Sequence, residues 1–400
     1  MQTESCSTGD GRTQRGIMKI TRLIASIAVA LTFEVNLPEA LAANVRTATV
    51  PLKLVPIGNE QYKVGINIRL GGGPPKLYTF DTGSSGFYAA YNRQWWPHFK
   101  LLTRRPYNQS YGDSVVFESL AVQTAIGIPS NRGVLKAKVE VGLIADAWGG
   151  QLGTPGNSTW IPDIEKGNAP LFNNFYGDFG SGLRQVGGLF AVLPQLPGNL
   201  SSGFVVQLGC RDPLTHERKP VQKLMIGLIP KLRSGATSWV PMQKGQGHQS
   251  FPNGNPTYAQ ALLASQFSLS SSDKPSYAFA TDAILDTGAP TTSIHAASDI
   301  TIPDEYLESP TRDNTHIQTG NTWTVTAEGT QTDHGFSLNL ITGETPGVNE
   351  INVQKETTAS AKSEVNLGLI PFFLNDVIFD IQRGLVGFAP SCSLGSSAKQ

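Results

Sequence analysis

Alternating apolar and polar positions set in near residue 50. Val50, Leu52 and Leu54 alternate with other residues, and Val64, Ile66, Ile68 and Leu70 do the same around Gly65, Asn67 and Arg69. This period of two predicts strands with one buried face. Gly71-Gly72-Gly73-Pro74-Pro75 interrupts the run as a turn. Lys76-Leu77-Tyr78-Thr79-Phe80 reads as the returning strand of a hairpin and leads directly into Asp81-Thr82-Gly83. Residues 257–266 (TYAQALLASQ) are the best short-helix candidate. Residues 145–182, rich in Gly, Asn, Pro and aromatics without a clear period, read as a loop-rich insertion. Residues 243–256 read as a polar surface excursion, and residues 393–400 as a flexible tail.

Composition supports an all-β reading. The 400 residues are 39% hydrophobic, enough for a sizeable core, and 42 Gly and 26 Pro suit many short strands and tight turns. A length near 400 suggests two domains or one large two-lobed unit. Lys+Arg and Asp+Glu balance at 31 each, so no basic surface is expected to neutralise phosphates, and nucleic acid is not an expected partner.

Near the N-terminus, Lys19 and Arg22 precede the uncharged apolar run Leu23 to Phe33, and Ala40-Leu41-Ala42 has the small-x-small pattern of a signal-peptide cleavage site. The run stops at Glu34, short of the roughly 20 apolar residues that span a bilayer. Residues 1–42 are therefore expected to be a lead and signal peptide. The chain is expected to be exported, periplasmic or extracellular, without a stable membrane anchor, and Met1 and Met18 both stand as start codons. Cys6 precedes this signal. Cys210 and Cys392 form an even pair compatible with one disulfide or with two buried thiols.

One long-range echo carries the chemistry. Thr79-Phe80-Asp81-Thr82-Gly83-Ser84-Ser85 recurs about half a chain later as Ile284-Leu285-Asp286-Thr287-Gly288-Ala289-Pro290. Two copies, each ending an apolar strand, point to an internal duplication of a β-rich unit. Two carboxylates about 3 Å apart cannot both ionise, so they share one proton and titrate as a pair. The ionised member takes a proton from a water, and the protonated one polarises an amide carbonyl. Gly83 and Gly288 allow two turns to approach closely. Thr82 and Thr287 offer hydroxyls to buried backbone groups. No metal or cofactor is expected: the six His are scattered, with no His-Glu-x-x-His, and no phosphate-binding loop is present.

At these residues the chain resembles the pepsin-like aspartic proteases over about residues 48–392. The resemblance implies an all-β, bilobal acid-protease fold with an inter-lobe sheet and few short helices. It divides the chain into an N-terminal lobe (43–215) holding Asp81 and the flap, and a C-terminal lobe (216–392) holding Asp286. It implies aspartic-type endopeptidase activity on an extended peptide or protein substrate by a monomer.

Ser84 falls where the family has a serine bonded to the catalytic carboxylate, and Tyr88 where it usually has Trp. Ser110-Tyr111-Gly112-Asp113-Ser114 resembles the flap tip, with Tyr111 and Gly112 closing over substrate. Gly187-Gly188-Leu189-Phe190-Ala191 is matched to the segment behind the first Asp loop. Asn366-Leu367-Gly368, Phe379-Asp380 and residues 386–390 are matched to the closing segment behind Asp286 and the inter-lobe sheet. Cysteines at similar places in the plant-type branch favour a Cys210–Cys392 bridge. Ala289 departs from the usual Ser or Thr, and Asp113 adds a charge near the flap. No room is seen for an inhibitory propeptide, and together with the few cysteines this points toward a bacterial member. Two other readings stand beside the protease. One is a non-catalytic binding or inhibitor protein on the same fold. The other is a glycosidase, which needs its carboxylates further apart.

Overall fold

A computed structural model describes residues 47–394, except 113, 155–156, 159, 170, 173, 187–188, 212–217, 220–221, 246–249, 261, 331–333, 345–348, 356–361 and 392–393. The expected signal segment, Asp113, Cys392 and the end of the expected tail lie outside the described residues, and so does a Cys210–Cys392 bridge. Strands dominate. A fourteen-stranded sheet and an eight-stranded sheet hold most of them. Three short α-helices, Trp160–Glu165, Pro230–Arg233 and Ile370–Leu374, are found among the described residues, and none is long and apolar enough to cross a membrane.

The duplication suggested by the echo has a counterpart in the strand pairing. Lys76–Asp81 enters the first Asp loop and Ser85–Ala90 leaves it; Gly177–Ser181 lies parallel to the first and antiparallel to the second. In the other sheet Tyr277–Ile284 runs toward the second Asp loop and Thr292–Ala296 follows it. Glu364–Asn366 is again parallel to the first and antiparallel to the second. Even the register agrees. Asp178 pairs with Thr79 and Tyr88, and Asn366 pairs with Ile284 and Ser293, positions that lie two before and seven after the loop aspartate in both halves.

Residues far apart in sequence share one stretch of the large sheet. Its order is Ser238–Pro241, Leu385–Pro390, Asn375–Asp380, Gly203–Gln207, Lys223–Ile226 and Ala48–Gly58. The closing segment thus returns to the sheet that contains the N-terminal strands. Arg233 clamps this region with a forked contact to the buried Asp380, at 2.7 and 3.2 Å. Such a planar pair satisfies a carboxylate that would otherwise be costly to bury. Beneath the first Asp loop, Tyr78, Phe80, Phe87, Phe179 and Phe204 form a buried aromatic cluster, with Tyr78 edge-on to Phe87 at 4.8 Å.

Three expectations need correction. The expected helix at 257–266 is absent: Leu263–Ser270 is a strand held between Tyr277–Ile284 and Thr322–Ala327. Leu263, Ser265, Phe267 and Leu269 face inward with a period of two, and pairing on both edges overrides the local helical pattern.

The 145–182 segment is more than loop. It completes a long strand to Trp148, forms a helix, and supplies Gly177–Ser181 at the centre of the sheet. A Cβ on Gly177, whose φ is +140°, would lie 2.2 Å from the Tyr88 carbonyl oxygen. The glycines that look like loop are therefore what close packing requires. Finally, the strand behind the first Asp loop is Gly177–Ser181. Leu189–Phe190 pairs with Gln185–Val186 in a separate two-stranded ribbon, with Leu189 packed close to Gly86.

Candidate active site

The two Asp loops meet by crossed hydrogen bonds. Thr82 donates its amide to Thr287 Oγ1 at 3.1 Å, and Thr287 donates its amide to Thr82 Oγ1 at 3.0 Å. Each hydroxyl then donates to a carbonyl of the opposite strand: Thr82 to Leu285 at 2.7 Å, Thr287 to Phe80 at 2.6 Å. All four groups are buried, so each bond satisfies a donor or acceptor that water cannot reach. Gln260 adds a bond across the halves, donating Nε2–H to the Gly83 carbonyl at 3.0 Å.

This crossing brings the carboxyls together. A Cβ on Gly83 would stand 2.3 Å from Asp286 Cγ, and one on Gly288 would stand 2.4 Å from Asp81 Cγ. Each carboxyl therefore rests against the glycine of the other loop, where only hydrogen fits. Asp81 Oδ1 accepts from the amides of Gly83 and Ser84 at 2.7 and 2.9 Å, and Asp286 Oδ1 accepts from those of Gly288 and Ala289 at 2.6 and 3.2 Å. Asp81 and Asp286 also lie within hydrogen-bonding reach of each other. Burial first, then the negative charges of Asp286 and Asp178, raise the Asp81 pKa well above the ordinary carboxylate range.

Beyond the loops the two halves diverge. Asn366 donates Nδ2–H to Asp286 Oδ2 at 2.5 Å. In the matching place of the first half stands Asp178. The expected bond from the Ser84 hydroxyl to Asp81 is not formed, and the Ser84 amide reaches Asp81 instead. The hydroxyl donates to Asp178 Oδ2 at 2.6 Å, one of two hydrogen bonds that this buried carboxyl oxygen accepts.

Tyr111 lies just past the strand Tyr107–Ser110, which pairs with the start of Val116–Ser130. Its ring meets Phe117 edge-on at 5.0 Å, and its hydroxyl donates to Asp178 Oδ2 at 3.2 Å. Gly112 at the tip has open space around it. Burial pushes Asp178 up to about 7, while the bonds from Ser84 and Tyr111 and the Lys63 charge pull it down. A cavity of about 30 Å³, room for a water-sized group, is lined by Lys63, Thr79, Asp81, Tyr111, Phe117 and Asp178 among others. Lys63 lies over the Phe172 ring, 4.9 Å from its centre.

The structure thus brings together Asp81, Thr82, Gly83, Ser84, Asp286, Thr287 and Gly288, with Tyr111 beside them. Sequence reasoning missed Asp178, Lys63 and Gln260, and placed Asn366 only as packing. One signal was available for Asp178. Asp178-Phe179-Gly180 and Asn366-Leu367-Gly368 are a polar–apolar–Gly echo, one following each Asp loop. Among the described residues no group of three or more His, Cys, Asp or Glu is placed to hold a metal ion. No protein-family model matches this chain, and no curated protein matches it significantly.

Proposed function

We propose that the protein is an aspartic-type endopeptidase of the pepsin-like kind, with Asp81 and Asp286 as its catalytic pair. The observation that carries this reading is the crossed threonine pairing, which sets each carboxyl against the opposite glycine. Asp81, with its raised pKa, supplies the proton that polarises the scissile carbonyl. Asp286 takes a proton from the attacking water and is steadied by Asn366. Water adds directly, so no covalent enzyme intermediate forms. The two halves serve as lobes at 43–215 and 216–392. The substrate lies extended between them, beneath the hairpin that carries Tyr111. An acidic optimum, an exported chain and a monomeric enzyme belong to the same proposal.

The test is cleavage of a denatured protein by the purified chain between pH 3 and 7, with and without pepstatin, beside Asp81→Asn and Asp286→Asn. Loss of cleavage in both variants and block by the inhibitor are expected. A second reading, a non-catalytic binding protein on the same scaffold, draws on the Ser84 hydroxyl's turn away from Asp81. A folded wild type that cleaves at no pH would overturn the protease in its favour.

A further inference from the structure

The repeat places two side chains in matching positions, one on each side of the dyad. Asp178 and Asn366 have the same register in the parallel strand and in the antiparallel one. Asn366 is neutral and spends a donor on Asp286 Oδ2. Asp178 has no such donor to offer when ionised. It is 3% exposed, and it receives both of its hydrogen bonds, from Ser84 and Tyr111, on Oδ2. Its Oδ1 is buried without a hydrogen-bond partner in the protein. A buried carboxylate with one bare oxygen is poorly compensated.

We propose that Asp178 is a positioning residue for Asp81: a third buried carboxylate, built into one side of the site only, which biases the shared proton toward Asp81. The inference rests on the dyad reading above. Its physical content is one-sided repulsion. When Asp178 carries charge, an ionised Asp81 must bear a second like charge in a site of low polarity, so the proton stays on Asp81 to higher pH. The direction agrees with the rise of the Asp81 pKa in the field of Asp178. Other charges face the same point. Lys63 opposes the effect on both carboxyls, Asp286 adds to it, and the half-buried Arg184 is also within range of Asp81. Tyr88 and Tyr111 face Asp178 with hydroxyls that burial keeps protonated. Because Tyr111 sits beside the hairpin tip, the same carboxyl also ties that tip to the strand behind the Asp loop.

The experiment measures kcat/KM against pH for the wild type and Asp178→Asn. In parallel, the side-chain carboxyls of the ¹³C-aspartate-labelled proteins are titrated by NMR. The Asp81 resonance is assigned by its loss in Asp81→Asn. In Asp178→Asn the alkaline limb and the Asp81 titration are both expected to move down by about one pH unit. That is roughly a tenfold loss of kcat/KM at pH 7, with little change at pH 4.

Tyr111→Phe keeps the ring, so it tests the coupling even if the asparagine variant fails to fold. It removes a donor to charged Asp178, so the Asp178 titration should move up and, with less charge on Asp178 at a given pH, the Asp81 titration should move down. A limb and an Asp81 titration that both stay within about 0.3 pH unit in Asp178→Asn would overturn the proposal. An Asp81 titration that stays put in Tyr111→Phe while the Asp178 titration moves up would do the same. If no protein cleaves but the Asp81 titration moves, the protease reading fails and the coupling stands.

Discussion

The two Asp loops are alike where they touch and unlike one layer behind. In contact, the pattern is reciprocal: threonine to threonine, glycine to carboxyl, two amides to each Oδ1. Behind, one side has Asp178, the Ser84 hydroxyl and Tyr111, and the other has Asn366 and Ala289. Geometry is thus held by symmetric bonds, while charge is set by an asymmetric second layer. A duplicated scaffold can keep two carboxyls in place and still surround them with different partners.

The sharpest way to break this comparison is to disturb the symmetric layer. Gly83→Ala and Gly288→Ala each push a methyl into the opposite carboxyl. Either should cut cleavage at least about a hundredfold, since an ångström of displacement costs that much. Each should also lower stability by roughly 3 kcal/mol through overpacking. Equal effects from the two sides would confirm that the contact is reciprocal; urea unfolding and peptidase assays read both.

The asymmetric layer should appear in the pH dependence of stability. Asp178 is raised on folding to about 7, so between its unfolded value near 3.9 and that point the folded chain binds the extra proton. The stability this contributes is full below about pH 4 and is lost as pH rises through about 7, at about 1.4 kcal/mol per pH unit crossed at most. Urea midpoints measured from pH 4 to 8 should fall steeply for the wild type and less steeply in Asp178→Asn, where the raised Asp81 still contributes. Asn366→Asp should steepen the fall, because it removes a donor to Asp286 and adds a mirror carboxylate.

Thr82→Val and Thr287→Val each strand one buried amide and one buried carbonyl. Each should cost about 2 kcal/mol. The pair should be strongly non-additive in a double-mutant cycle, because each hydroxyl serves the other loop. The smallest effects should come from the next position along. Ser84→Ala removes a bond to Asp178 and should cost about 1 kcal/mol. Ala289→Ser, which meets no matching aspartate, should stay within about 0.5 kcal/mol in thermal unfolding.

What was legible in the sequence follows from where its information lies. The Asp loops were legible because their chemistry is contiguous and occurs twice. The strand at Gln61–Leu70 was legible because Val64, Ile66, Ile68 and Leu70 alternate toward one buried face. Asp178 was hidden in a glycine-rich stretch whose local pattern signals a turn, although its neighbours Gly177 and Gly180 are there for close strand contact. The partner of the Ser84 hydroxyl could not be read either, since Asp178 lies 94 residues away and only the sheet register joins them. Residues 257–266 misled because short-range periodicity is weaker than two flanking strands that arrive later in the chain.

The return of the last strands to the large sheet has a consequence during synthesis. Gly203–Gln207 is buried along its whole length and has Lys223–Ile226 on one edge, but its other edge waits for Asn375–Asp380. At roughly 5–20 residues per second, a ribosome leaves that edge open on the order of ten seconds or more. For that interval the nascent chain offers an apolar strand with free backbone groups, a template for sticking to other chains. Only when the final strands emerge does the sheet close.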